Sequence, residues 1–194
     1  MTTQDDQQHN TMRLYSRINR RLYLNASERA RFLHACGNLP ANRRAFALTL
    51  FYTGCRLSEA RELTFDAIQF EENIISIRSL KKRNQHHIRE IPVPALLTDE
   101  LRKLKFGTSD NNRIWKIDRI TAYRWIKTIM HDASIAGPQA SPKGLRHAYG
   151  INAISCGIQL HMLQKWMGHA SIKTTAIYAN AVGEEEKAIA QRMW

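Results

Sequence analysis

One short region of this chain alternates as a strand does, and everything around it reads as helix. Residues 67–80, AIQFEENIISIRSL, and residues 87–93, HIREIPV, interleave β-branched and polar side chains around the basic run KKRNQHH. That pattern reads as antiparallel strands with a basic connection. On the N-terminal side, ASERARFLHACGNL (26–39) opens with Ser27 as a candidate N-cap. NRRAFALTLFYTG (42–54) is strongly apolar and stops at Gly54, a suitable C-cap. RLSEAREL (56–63) resumes as a short helix. Beyond the strands, helical patterns cover residues 94–105, 119–135 and 142 almost to the end, punctuated by Gly137-Pro138, Gly157 and Gly168. The expected fold is mainly α with a small antiparallel β-sheet (α+β).

Charge narrows the class of partner. In 194 residues there are 29 Lys plus Arg against 17 acidic residues, a net of +12, which points to a polyanion and most simply to nucleic acid. Cys36, Cys55 and Cys156 are odd in number and show no metal-ligand spacing, so they read as buried small hydrophobes in a reducing cytoplasm. No stretch approaches the length of a membrane span, and the polar opening MTTQDDQQHN has no signal-peptide pattern. Residues 1–22 carry Arg13, Arg17, Arg20 and Arg21 with little apolar material, and read as a flexible basic arm ahead of a domain at 23–194.

Several polar residues sit awkwardly beside the apolar segments. Arg56 follows FYTGC between two helices; Lys81, Lys82 and Arg83 lie in the strand connection; Lys143, Arg146 and His147 open a helix; His169 follows Gly168; Tyr178 lies nine residues later. Singly, each has an ordinary explanation as a cap, a turn or a core residue with a polar tip. Together they meet the demands of phosphodiester chemistry. Arginine forks hold the non-bridging oxygens, a Lys or His donates to the leaving oxygen, and a Tyr hydroxyl attacks. No acidic cluster suited to a two-metal site is evident, and no metal or cofactor is expected.

Three segments in order make the pattern specific. TGCRLSEARELT (53–64), PKGLRHAYG (142–150) and LQKWMGHASIKTTAIYAN (163–180) resemble the three boxes of the tyrosine recombinase (phage integrase) family, with Arg146 to His169 separated by 23 residues and His169 to Tyr178 by nine. The resemblance implies a site-specific recombinase that cleaves and rejoins double-stranded DNA through a 3′-phosphotyrosyl intermediate. It assigns Arg56 and Arg146 to the scissile phosphate and Lys81, or Lys82 in a shifted register, to the 5′ oxygen. His169 falls on a phosphate oxygen, Tyr178 is the nucleophile, and Arg83 contacts DNA. Glu59 braces Arg56, and His147 supports Arg146.

Two departures from the family pattern stand out. Lys143 occupies a position that is commonly His; lysine still donates to phosphate but accepts a proton poorly. Only 55 residues precede Arg56, which suggests a short stand-alone catalytic domain without the usual N-terminal core-binding domain. Affinity would then come from the basic arm, accessory DNA-bending proteins and self-association on DNA. The tail GEEEKAIAQRMW reads as an amphipathic helix over about 184–194, with Ile189, Met193 and Trp194 on one stripe, docking in cis or onto a neighbouring protomer. The expected setting is the bacterial cytoplasm, at the nucleoid. The competing activities are a type IB topoisomerase and a DNA-binding regulator of the same fold without catalysis.

Overall fold

The computed structural model describes residues 13–79, 87–105, 110–180 and 184–193. Lys81, Lys82, Arg83 and Trp194, together with the first twelve residues of the expected arm, lie outside the described residues. Helix α1 (Ala26–Gly37) begins two residues earlier than Ser27 would have it. Its N-cap is Asn25, whose side chain accepts from the Glu28 N–H at 2.8 Å while Glu28 Oε2 accepts from the Asn25 N–H at 3.0 Å. This reciprocal capping box satisfies two free donors at once, which Ser27, two residues further on and with Ala30 rather than a carboxylate three residues beyond it, cannot do.

Helix α2 (Ala41–Thr53) is the centre of the domain. It is apolar on nearly every side, and Ala45, Phe46, Ala47, Leu48, Leu50 and Phe51 are all buried. A helix of that kind must be surrounded, and α1, α3 (Leu57–Arg61), α4 (Ala95–Leu104), α5 (Arg119–Asp132) and α6 (Pro142–Ser155) all pack against it. The hydroxyls of Thr49 and Thr53 are buried without penalty because they donate to the carbonyls four residues back, at 2.8 and 2.6 Å. Gly54 caps α2 in the left-handed conformation, φ 59°, and its N–H donates to Leu50 O at 3.1 Å. The chain thereby turns sharply enough to place Arg56 at the entry of α3.

The sheet is three-stranded and antiparallel in the order β1 (Ile68–Gln69), β2 (Ile74–Arg78), β3 (Ile88–Pro92). Ile75 pairs with Ile91 and Ile77 with Arg89, so one face carries Ile75, Ile77, Ile91 and, unexpectedly, Arg89 into the interior. The expected long C-terminal helical region is broken into α6, α7 (Leu160–Met167), α8 (Ile172–Ala176), a 3₁₀ turn (Ile177–Asn180) and α9 (Glu184–Ala190). Helix α9 rests on α6 of the same chain. Among the described residues, no helix is long and apolar enough to cross a membrane.

A second apolar cluster forms where α6, α7 and the 3₁₀ turn meet. It contains Leu14, Tyr23, Ile151, Leu163, Met167 and Tyr178. Two members lie at the N-terminal end of the described chain. Residues 13–22, within the stretch expected to be an arm, fold back through a bridge between Tyr15 and Arg21 and bury Leu14. Arg21 donates to Glu28 at 2.6 Å, tying this turn to α1. Of the cysteines, Cys36 and Cys55 are buried as expected, but Cys156 is exposed because it is the C-cap of α6 at the surface.

Candidate active site

Arg146 sits in the second turn of α6 and is 5% exposed. Its Nη1 donates to Gly54 O at 2.5 Å, and its Nη2 donates to Met167 O at 2.7 Å and lies 3.0 Å from His169 Nε2. Guanidinium can only donate, so Nε2 of His169 accepts and the ring proton lies on Nδ1. Nδ1 in turn meets the Thr175 hydroxyl at 2.9 Å. Burial, then the neighbouring guanidiniums of Arg146 and Arg56, push His169 down to about 3, so the ring is neutral at physiological pH. Arg146 itself is lowered to about 10, first by burial and then by Arg56, and remains a cation. Arg56 is therefore close enough to be felt by both groups.

Arg56 is held from behind by Glu59, one turn along α3. Glu59 Oε1 accepts from Arg56 Nη1 at 2.7 Å and Oε2 accepts from the Arg56 backbone N–H at 2.8 Å. The Arg56 side chain keeps a quarter of its surface exposed, whereas that of Glu59 keeps 1%. Despite its burial, Glu59 has its pKa lowered, because Arg89, Arg56 and the hydrogen bonds they donate outweigh the desolvation penalty. The carboxylate is thus an anion within the fold. Lys143 is exposed on the first turn of α6, one turn before Arg146 and His147.

Tyr178 is fully buried. Its hydroxyl lies 3.3 Å from His147 Nδ1, and its ring is nearly parallel to that of His169, with centroids 6.3 Å apart. Burial raises the phenol to about 12 against the opposing pull of Arg146 and Arg56. His147 is also fully buried, is pushed down to about 3 by burial, Lys143 and Arg146, and has no hydrogen-bond partner for Nε2 among the described residues.

Thus Arg56, Arg146, His169 and Tyr178, from four separate segments, meet in one place, with Lys143 at the rim and His147 beneath Tyr178. Arg89 was missed in reading the sequence. Its side chain has no exposed surface, its Nη2 donates to Glu59 Oε2 at 2.6 Å, and its Nε donates to Trp166 O at 2.7 Å. The signal was present in IREIPV: Arg89, Ile91 and Val93 are in phase, so a strand that buries the two aliphatic residues buries the arginine with them. Arg56, Arg89 and Arg146 against the single carboxylate of Glu59 leave two net positive charges among these four.

Residues 22–185 match the model of the phage integrase family. A tyrosine recombinase XerA of Pyrococcus furiosus is 29% identical over 159 residues, covering 77% of this chain and 54% of that protein. The crystal structure of XerA recombinase superimposes with a TM-score of 0.77 at 24% identity, covering 88% of this chain and 64% of that one. XerH site-specific recombinase bound to its difH substrate superimposes with a TM-score of 0.70 at 18% identity, over 93% of this chain and 59% of that one. The chain spans about half the length of the first curated relatives it matches.

Proposed function

The chain belongs to the phage integrase family, and from that premise we propose that it is a site-specific DNA recombinase working by metal-free phosphotyrosine chemistry. The observation that carries this reading is the convergence of Arg56, Arg146, His169 and Tyr178 on one net-positive site. Arg56 and Arg146 bind the two non-bridging oxygens of the scissile phosphate, where the charge grows as the nucleophile approaches. Lys143 adds a donor at the rim. His169 can donate to a phosphate oxygen once its proton moves to Nε2, and the Thr175 hydroxyl permits this because it can donate to Nδ1 as readily as accept from it.

The Tyr178 hydroxyl gives up its proton to solvent as its oxygen attacks phosphorus, a P–O bond to tyrosine forms, and the bond to the 5′ oxygen breaks. Lys81, with Lys82 as the alternative, supplies the proton to that leaving oxygen, and Arg83 contacts the backbone beside them. The phosphotyrosyl ester conserves the bond energy, so a 5′-hydroxyl from the partner strand reverses the step without ATP. Because Tyr178 is buried, its 3₁₀ turn must swing outward for attack. Self-association through α9 exchanged onto a neighbouring protomer, the arginines of the N-terminal turn and accessory DNA-bending proteins supply the assembly in the bacterial cytoplasm.

The test is a plasmid carrying two copies of a duplex that the protein binds. Exchanged restriction fragments are expected. Relaxed topoisomers without exchange would indicate a topoisomerase, and binding with neither product would indicate a regulator.

A further inference from the structure

A guanidinium in a protein interior is expensive unless fully paired, and a hydrophobic side chain of similar size usually serves stability as well. Arg89 has one carboxylate and one carbonyl as partners, and its Nη1 has none among the described residues. The backbone is built around it all the same. Gly168 adopts φ +64°, and a Cβ there would stand 3.1 Å from the guanidinium carbon of Arg89. The residue directly before His169 thus leaves room for Arg89 and for little else.

Arg89 acts on two parts of the site. The carbonyls of Trp166 and Met167 are successive free acceptors at the C-terminal end of α7; Arg89 takes the first and Arg146 the second. The turn that presents His169 is therefore fixed by two arginines. On its other side, Arg89 takes Glu59 Oε2, while Oε1 faces Arg56. Without Arg89, the full charge of a buried carboxylate would fall on Arg56 and quench the cation meant for a phosphate.

We propose that Arg89 is a positioning residue: it compensates Glu59, so that Glu59 can orient Arg56 without neutralising it, and it anchors the turn carrying His169. This inference rests on the reading of the site as a phosphate clamp. It makes the pair Arg89–Glu59 a unit whose charge must be balanced, which a purely space-filling Arg89 would not require.

The experiment compares the parent protein with Tyr178→Phe, Arg89→Met, Arg89→Lys, Glu59→Gln and the double variant Arg89→Met/Glu59→Gln. Nicked duplexes tiled from the DNA flanking the gene are the probe. Covalent adduct formation is timed in single turnover, duplex affinity is measured in parallel, and thermal melting reports folding. Arg89→Met should slow adduct formation about a hundredfold, the scale of a small misplacement in a reacting site. Removing the Glu59 charge as well should recover about tenfold of that loss, and Arg89→Lys should stay within about tenfold of the parent, since both restore charge balance. Duplex affinity should change little.

Arg89→Met at the parent rate, a double variant that folds but is no faster than Arg89→Met, or Arg89→Lys as slow as Arg89→Met would each overturn the proposal. If Arg89→Met does not fold, the recovery of the double variant is read against Arg56→Ala, and a double variant as slow as that refutes it. A parent protein that forms no Tyr178-dependent adduct on any duplex would overturn the functional reading and this inference together.

Discussion

Gly150→Ala should release Tyr178 from its buried position. A Cβ at Gly150 would lie 2.6 Å from Cε1 and Cζ of Tyr178 and 2.7 Å from Cδ1. Carbon atoms in contact settle at about 3.5–4.0 Å, so one partner must retreat by about 1 Å. Helix α6 is the fixed partner, because it packs on α2 and carries the bonds of Arg146. Tyr178 sits in a short turn and is the one to move. Overpacking of this kind costs about 1–3 kcal/mol, while replacing a mid-helix glycine by alanine returns up to ~1 kcal/mol to α6. The fold is retained, and the penalty falls on the buried position of the ring. A load of about 1–3 kcal/mol on one side of an equilibrium shifts it by roughly 5- to 150-fold. The assay is nitration by tetranitromethane with peptide mapping, using Tyr123, which is 44% exposed, as the internal reference. Tyr178 should react far more slowly than Tyr123 in the parent and approach it in Gly150→Ala. The released phenol also falls from about 12 toward its ordinary 10, which further favours the reaction. A Gly150→Ala protein that melts like the parent and still protects Tyr178 would refute the reasoning.

Arg146→Ala should cost at least ~3 kcal/mol in the cleavage step, on the scale of a lost charge-stabilising donor; adduct formation within threefold of the parent would contradict a clamp role. Acid should weaken the fold before any carboxylate titrates. Burial first, then Lys143 and Arg146, hold His147 at about 3 in the fold against 6.5 when free. Between those values the unfolded chain binds a proton that the folded chain does not. Stability is therefore full above the upper value and is lost as pH falls toward the lower one, by up to ~1.4 kcal/mol per pH unit. His169 adds a loss of the same sign. Urea midpoints that stay flat from pH 7 to pH 5 would contradict the burial of both rings. Duplex affinity should fall steeply with salt; about five phosphate contacts would give a log–log slope near −4.5, and a slope shallower than about −2 would contradict a phosphate-dominated interface.

Much of the site was legible because its residues stand at the ends of recognisable elements. Arg56 follows the glycine that caps α2, Arg146 opens α6 behind Ser141 and Pro142, and His169 follows the glycine that ends α7. Caps have local signatures, and so the positions of these side chains along the chain could be read. What could not be read depends on meetings across the fold. The burial of Tyr178 comes from the space left by Gly150 and the hydroxyl contact with His147, both on a different element. Arg89 was assigned no role, although the period of β3 places it inward. Leu14 looked like part of a polar arm until Tyr23 and the α6–α7 cluster supplied its partners. The capping box of α1 is written in the sequence as Asn25 followed three residues later by Glu28, whereas Ser27 has Ala30 at that spacing and cannot close one.

The proposed chemistry requires Tyr178 to become bonded to DNA without a metal. The most direct measurement incubates the protein with nicked duplexes in excess EDTA, resolves the products on a denaturing gel, and maps the attachment site by mass spectrometry. A protein–DNA band attached at Tyr178 through a 3′-phosphate is expected, absent from Tyr178→Phe although that variant still binds duplex. An adduct that persists in Tyr178→Phe, or one that forms only when a divalent cation is restored, would contradict it.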